Sequence, residues 1–235
     1  MRVALRGWGV RAGEGEGSGR AGAAEVRARG RARPGRRGMG NPGEGGRGVG
    51  GGGSGGSVPR LVVFDLDATL WVPEMYELWG GAPWRAQGLG RALSSKGEEV
   101  RLMGTSRETL DLLRTGTQFA GTAVAFASRT TEVEAATALI DVMQVADGVT
   151  MSQCGQKGTY AEIFPGRKTK HLANLRERTG IPYSSMLFLD NEYANIRDVG
   201  GLGVASLHTP HGITPEAWEQ GLSLYAERAG GGVRL

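Results

Sequence analysis

Four short, uninterrupted apolar runs limit what this chain can fold into more than any other feature. They are Leu61–Phe64 (LVVF), Thr122–Ser128 (TAVAFAS), Ser185–Asp190 (SMLFLD) and Gly203–His208 (GVASLH). Continuous rather than alternating hydrophobicity marks strands buried on both faces, as in a parallel sheet. Parallel neighbours need crossover connections, and the stretches between the runs carry helix signals. Thr105 and Glu108 have capping-box spacing ahead of a run that stops at Gly116, and Thr131 and Glu134 have it ahead of Val133, Ala136, Ile140 and Met143 at helical spacing. Lys168–Gly180 reads as a third helix, closed by its glycine. Alternation of this kind predicts an open α/β fold, a three-layer sandwich around a central parallel sheet. Between Trp71 and Val100 the pattern is hard to assign. Glu99–Met103 has the look of one arm of a small hairpin, and the segment is too short for a large cap domain, so a minimal cap is expected.

The domain is expected to span 58–222, between a Gly/Arg-rich extension (1–57) and a C-terminal tail (223–235). The extension holds 11 Arg, no Lys and 4 Glu, a net of +7, and 21 of the chain's 42 glycines fall in residues 1–56. Such a composition cannot bury enough apolar surface to offset the entropy of ordering, so disorder is expected there. The remaining residues carry 17 basic and 20 acidic side chains, a net of −3, so the basic total of 28 Lys+Arg against 24 Asp+Glu belongs to the extension. That distribution argues against reading the domain as a nucleic-acid binder. No apolar run approaches the length of a membrane span. A single cysteine, Cys154, excludes an intramolecular disulfide and fits a reducing compartment. Localisation is expected to be cytoplasmic, or organellar if the extension is a transit peptide.

Open parallel sheets bind ligands at the carboxyl ends of their strands. Here three such ends are polar: Asp65-Leu66-Asp67, Ser128-Arg129-Thr130 and Asp190-Asn191-Glu192, with Lys168 opening the helix before the third. Crowded carboxylates are costly unless something neutralises them. Three aspartates, a hydroxyl and a lysine suit a magnesium ion and a phosphate, because Mg²⁺ takes one or two carboxylates and substrate phosphate.

The run FDLDATLW, residues 64–71, resembles the D-x-D-x-T signature of the haloacid dehalogenase superfamily, and most of all its magnesium-dependent phosphatase branch, where D-L-D-x-T-L-W is characteristic. Further similarities follow in order: ASRT (Ala127–Thr130), IFPGRKTKH (Ile163–His171), RTGIPYSSMLFLDNE (Arg178–Glu192) and NIRDVGGLGV (Asn195–Val204). The resemblance implies a Rossmann-like haloacid dehalogenase fold and a Mg²⁺-dependent phosphomonoesterase. In it Asp65 is the nucleophile, forming an aspartyl-phosphate, and Asp67 the general acid and base. Leu66, Thr69, Ser128, Arg129 and Lys168 contact substrate, Thr69 and Ser128 by donating to phosphate oxygens. Asp65, Asp190 and the main-chain carbonyl of Asp67 hold the metal. Relatives commonly carry aspartate at the position of Asn191 and tyrosine at that of Ala68. The substrates implied are phosphotyrosine-type esters or phosphorylated sugars, including sugar adducts on amines, acted on by a monomer. The alternative is a phosphate- or partner-binding module on the same fold.

Other residues read more plainly. His171, His208 and His211 show no metal-binding spacing and are taken as structural, and Cys154 as an ordinary half-buried thiol. Glu192 and Asn195 brace their loop. Trp71, Trp79 and Trp84 suit either the entrance or the packing.

Overall fold

In the computed structural model of the protein, residues 58–230 are described, so the expected disorder of 1–57 lies outside the described residues. Five parallel strands form the central sheet: β1 (Leu61–Phe64), β6 (Ala123–Ser128), β9 (Thr159–Ile163), β10 (Met186–Asp190) and β11 (Ala205–His208). Their order is β11-β10-β1-β6-β9, which puts the first strand in the middle. Leu61 pairs with both Met186 and Ala123, and Phe64 with both Leu189 and Phe126, so β1, β6 and β10 run in register. The four apolar runs are all strands, within a residue or two of their expected bounds. The edge strand β9 (TYAEI) lacks a continuous apolar signal, since three of its five residues are only half-buried.

Period-two alternation sorts the sheet's side chains into two cores. Val62, Phe64, Val124, Phe126, Leu187 and Leu189 face one side, packed by α1 (Ser106–Thr115), α2 (Val133–Val142) and α5 (Pro215–Gly230) through Leu110, Leu113, Ala136, Leu139, Trp218 and Tyr225. Leu61, Val63, Ala125, Met186 and Phe188 face the other, packed by α3 (Lys168–Thr179) and α4 (Tyr193–Gly200) through Leu172, Leu175 and Val199. This is the three-layer α/β sandwich expected.

Both expected capping boxes are absent. Helix α1 does start after Thr105, but the Thr105 hydroxyl donates to the Ile213 carbonyl, and α2 starts after Glu132 with no side-chain cap. In each case the threonine finds another oxygen: Thr131 Oγ1 lies 3.3 Å from the Glu132 carboxylate. Gly180 ends α3 in the left-handed conformation, as expected. The expected boundary at Leu222 falls inside α5, which runs on to Gly230 and packs on β11 and β10, so residues 223–230 belong to the domain.

The segment after β1 forms a second, antiparallel sheet: β2 (Trp71–Val72), β3 (Arg85–Ala86), β4 (Arg91–Leu93) and β5 (Glu99–Leu102), ordered β2-β5-β4-β3. Glu99–Leu102 is an arm of a hairpin, as expected, and the whole sheet is the small cap. A short hairpin, β7 (Gln144–Ala146) with β8 (Val149–Thr150), follows α2. The cap sheet returns to the core through Gly104, at φ +54°, where a Cβ would lie 2.2 Å from the Ile213 carbonyl oxygen. Only glycine fits that approach. Among the described residues no helix is long and apolar enough to cross a membrane.

Candidate active site

At the carboxyl end of β1 the chain turns sharply. Ala68 adopts φ +54°, a region L-residues enter at a cost, and the amides of Thr69, Leu70 and Trp71 then donate back to the Leu66 carbonyl. That turn leaves Asp65 and Asp67 on the wall of one cavity of about 370 Å³ and drives Leu66 into the core. The cavity is lined also by Ser128, Arg129, Thr130 and Thr131 from the loop after β6, by Lys168, by Asn191, Glu192 and Asn195 after β10, and by Glu74 and Tyr76 from the cap.

Lys168 is the hub. Only 2% exposed, it opens α3, and its ammonium bonds to Asp65 Oδ1, to the Ala127 carbonyl and, at 3.1 Å, to Asp190 Oδ2. All three protons thus have partners within the chain. Asp65 Oδ2 lies 3.1 Å from the Thr69 hydroxyl, whose oxygen in turn accepts the Asn191 amide at 3.1 Å. Asp190, fully buried, accepts from the Glu192 amide at 2.7 Å and from Asn195 Nδ2 on both oxygens, at 3.1 and 3.0 Å. Burial pushes the Asp65 carboxyl up to about 7; Lys168 pulls it down and the Asp190 charge pushes it further up. Burial also raises Asp67, against hydrogen bonds from Trp71 and the Met75 amide.

These contacts refine the expectations residue by residue. Asp65, Asp67, Ser128, Arg129, Lys168 and Asp190 converge at one strand edge. Thr69 is fully buried, and its hydroxyl spans Asp65 and Asn191. Leu66 is equally buried, its side chain packed in the core. Arg129 is paired with Glu192 at 3.1 Å across the mouth. Asn195 braces Asp190 rather than merely the loop, a role its place on the first turn of α4 makes intelligible. Glu74 and Tyr76 had no sequence signal, since one precedes and the other lies on a three-residue 3₁₀ turn between short strands. His171 is structural: buried, stacked 3.9 Å from Phe164, it meets the carbonyls of Arg167, Ser128 and Phe164. Cys154 is fully rather than half buried, which pushes its thiol up to about 12. Trp71 and Trp84 pack inside, whereas Trp79 is 91% exposed.

The donor set has a definite chemical character. Two carboxylates, Asp65 and Asp190, share one ammonium in a buried setting, which leaves excess negative charge for a cation to offset. Among the described residues no three His, Cys, Asp or Glu side chains gather as a closed cage. A hard ion that keeps several waters, such as Mg²⁺, fits such a partial set better than one requiring a full complement of side chains.

An open parallel sheet with acidic strand ends, a buried lysine and a minimal cap defines the haloacid dehalogenase-like class. Residues 57–228 match the family model described as Acid Phosphatase. Human "Magnesium-dependent phosphatase 1" is 35% identical over 177 residues, 75% of this chain and 93% of that protein. A protein of Schizosaccharomyces pombe described as of the HAD-like hydrolase superfamily is 30% identical over 151 residues, 63% of this chain and 84% of its own. The chain belongs to the acid-phosphatase family, on the magnesium-dependent phosphatase branch of the haloacid dehalogenase-like superfamily. Among solved structures, the N-terminal part of the protein BF1531 from Bacteroides fragilis aligns at TM-score 0.40 and 18% identity, covering 74% of this chain and 40% of that one.

Proposed function

We propose that the protein is a Mg²⁺-dependent phosphomonoesterase working through Asp65. The observation that carries this reading is the bracing of one carboxylate on both oxygens, Oδ1 by Lys168 and Oδ2 by Thr69, at the wall of a cavity. A nucleophile so held is oriented before substrate arrives. An Asp65 oxygen attacks phosphorus, the bond from phosphorus to the leaving oxygen breaks, and Asp67 gives that oxygen its proton. Water then attacks the aspartyl-phosphate, Asp67 takes the water's proton, and the Asp65–phosphorus bond breaks to release inorganic phosphate. Ser128 holds a phosphoryl oxygen, Lys168 lends its positive charge to the nucleophile and the phosphoryl group beside it, and Arg129 adds a contact when Glu192 yields it. Asp65, Asp190 and the Asp67 carbonyl would hold Mg²⁺. When bound, the ion supplies charge neutralisation between carboxylates and phosphate and stabilises charge developing in transfer.

A cavity of about 370 Å³ has room for a phosphate and the near part of its leaving group. The cap is a small sheet rather than a domain, so the remainder of the substrate extends outward. That supports substrates as varied as phosphotyrosine peptides and phosphorylated sugars.

The test is phosphate release from p-nitrophenyl phosphate, then from a panel of phosphopeptides and sugar phosphates, with Mg²⁺ and with EDTA. Turnover that depends on Mg²⁺ and is lost in Asp65→Asn is expected. Absence of Mg²⁺-dependent turnover from pure folded protein would leave a phosphate-binding module instead.

A further inference from the structure

Asp67 is held differently from its neighbour. Both of its protein donors converge on one oxygen: the Trp71 indole Nε1–H donates to Oδ1 at 2.7 Å and the Met75 amide donates to the same atom at 3.0 Å. Two N–H donors occupy the lone pairs of Oδ1, so a proton carried by this carboxyl sits on Oδ2. Trp71 is fully buried in the main core, and its backbone closes the same turn, its amide reaching the Leu66 carbonyl and its carbonyl taking the Ala68 amide at 3.0 Å. The indole therefore has one orientation available. A purely apolar role at this position would need only a ring, whereas an N–H at 2.7 Å from a carboxylate needs an indole.

Met75 adds a second coupling. It opens the 3₁₀ turn Met75–Glu77, next to Glu74 and carrying Tyr76, the two cap residues that line the cavity. The part of the cap that would border the leaving group is thus tied to the oxygen opposite the one that would protonate it.

We propose that Trp71 is a positioning residue for the general acid: its indole N–H fixes Asp67 by Oδ1 so that Oδ2 delivers the proton to the leaving oxygen. This rests on the reading of Asp67 as general acid. In the first half-reaction the Asp67 O–H bond breaks and an O–H bond forms on the departing alcohol, with no other change at Asp67. Trp71 takes no proton and touches no substrate.

Leaving-group dependence separates positioning from packing. Trp71→Phe keeps the ring and removes the donor. Its kcat/KM is expected to fall about 10- to 100-fold for alkyl phosphates, whose leaving oxygens need a proton, a part of the roughly 10²–10⁴-fold worth of a general acid. For p-nitrophenyl phosphate the fall should be a few-fold at most. A plot of log kcat/KM against leaving-group pKa should therefore steepen in Trp71→Phe and steepen more in Asp67→Asn. An equal loss for all leaving groups in Trp71→Phe, beside a steepened slope in Asp67→Asn, overturns the role of Trp71 and spares that of Asp67. An unchanged slope in Asp67→Asn removes the general-acid reading and the inference with it. Should Trp71→Phe fail to fold, the indole ¹⁵N–¹H resonances of the otherwise unaltered chain decide: Trp71 is expected to shift in Asp67→Ala more than Trp79, Trp84 or Trp218, and indifference of Trp71 overturns the proposal.

Discussion

The carboxyl edge of the parallel sheet and the small antiparallel cap stand a few residues apart in sequence yet are built on opposite terms. At the sheet edge the buried charged side chains are bound several times over: Asp190 accepts from an amide, an asparagine and a lysine, and Lys168 has a partner for each proton. On the cap Tyr76 and Trp79 are 68% and 91% exposed. A scaffold that fixes its chemical groups and leaves part of its rim exposed can vary recognition at those exposed side chains.

The contrast can be broken in order of expected effect. Asp65→Asn should lower kcat by roughly 10⁴-fold or more, the scale seen when a nucleophile leaves a catalytic unit, with thermal melting little changed; near-normal turnover would refute the assignment. Lys168→Met leaves two buried carboxylates without their cation and should destabilise the metal-free protein by roughly 3–5 kcal/mol. Urea unfolding with EDTA and with Mg²⁺ would measure it, and a loss that Mg²⁺ partly restores is expected. Gly104→Ala, at the junction of the two regions, should cost about 1–3 kcal/mol through its positive φ and the clash with Ile213. Tyr76→Ala should change KM by less than about tenfold, differing between substrates, with kcat for p-nitrophenyl phosphate nearly unchanged. A uniform collapse of kcat would show Tyr76 to be part of the chemistry. Smallest of all, Cys154 should resist thiol reagents at pH 8 in the native state and react only on unfolding, as a thiol pushed up to about 12 by burial must.

The same contrast explains what could be read before any coordinates. LVVF, AVAFAS and MLFLD declare themselves because strands buried on both faces need no alternation, and their acidic or hydroxyl ends then mark the ligand edge. The cap strands are two to four residues long, and length is what periodicity requires. At the site, residue types and their placement on strand ends were legible, but their divisions of labour were not. Whether a threonine hydroxyl points into a cavity or back at an aspartate depends on the left-handed turn at Ala68, and alanine gives no sign of it. Trp71 read as entrance or core. Its bond to Asp67 depends on the same turn.

That turn has a kinetic consequence through Thr69. Its hydroxyl joins Asp65, just past the central strand, to the Asn191 amide just past the next, so the Asp65 carboxylate is tied to two strand ends at once. A carboxylate anchored in this way has no swing to complete on ligand arrival. Capture of a small phosphate should therefore be paced by encounter and by shedding of water, not by rearrangement of the chain.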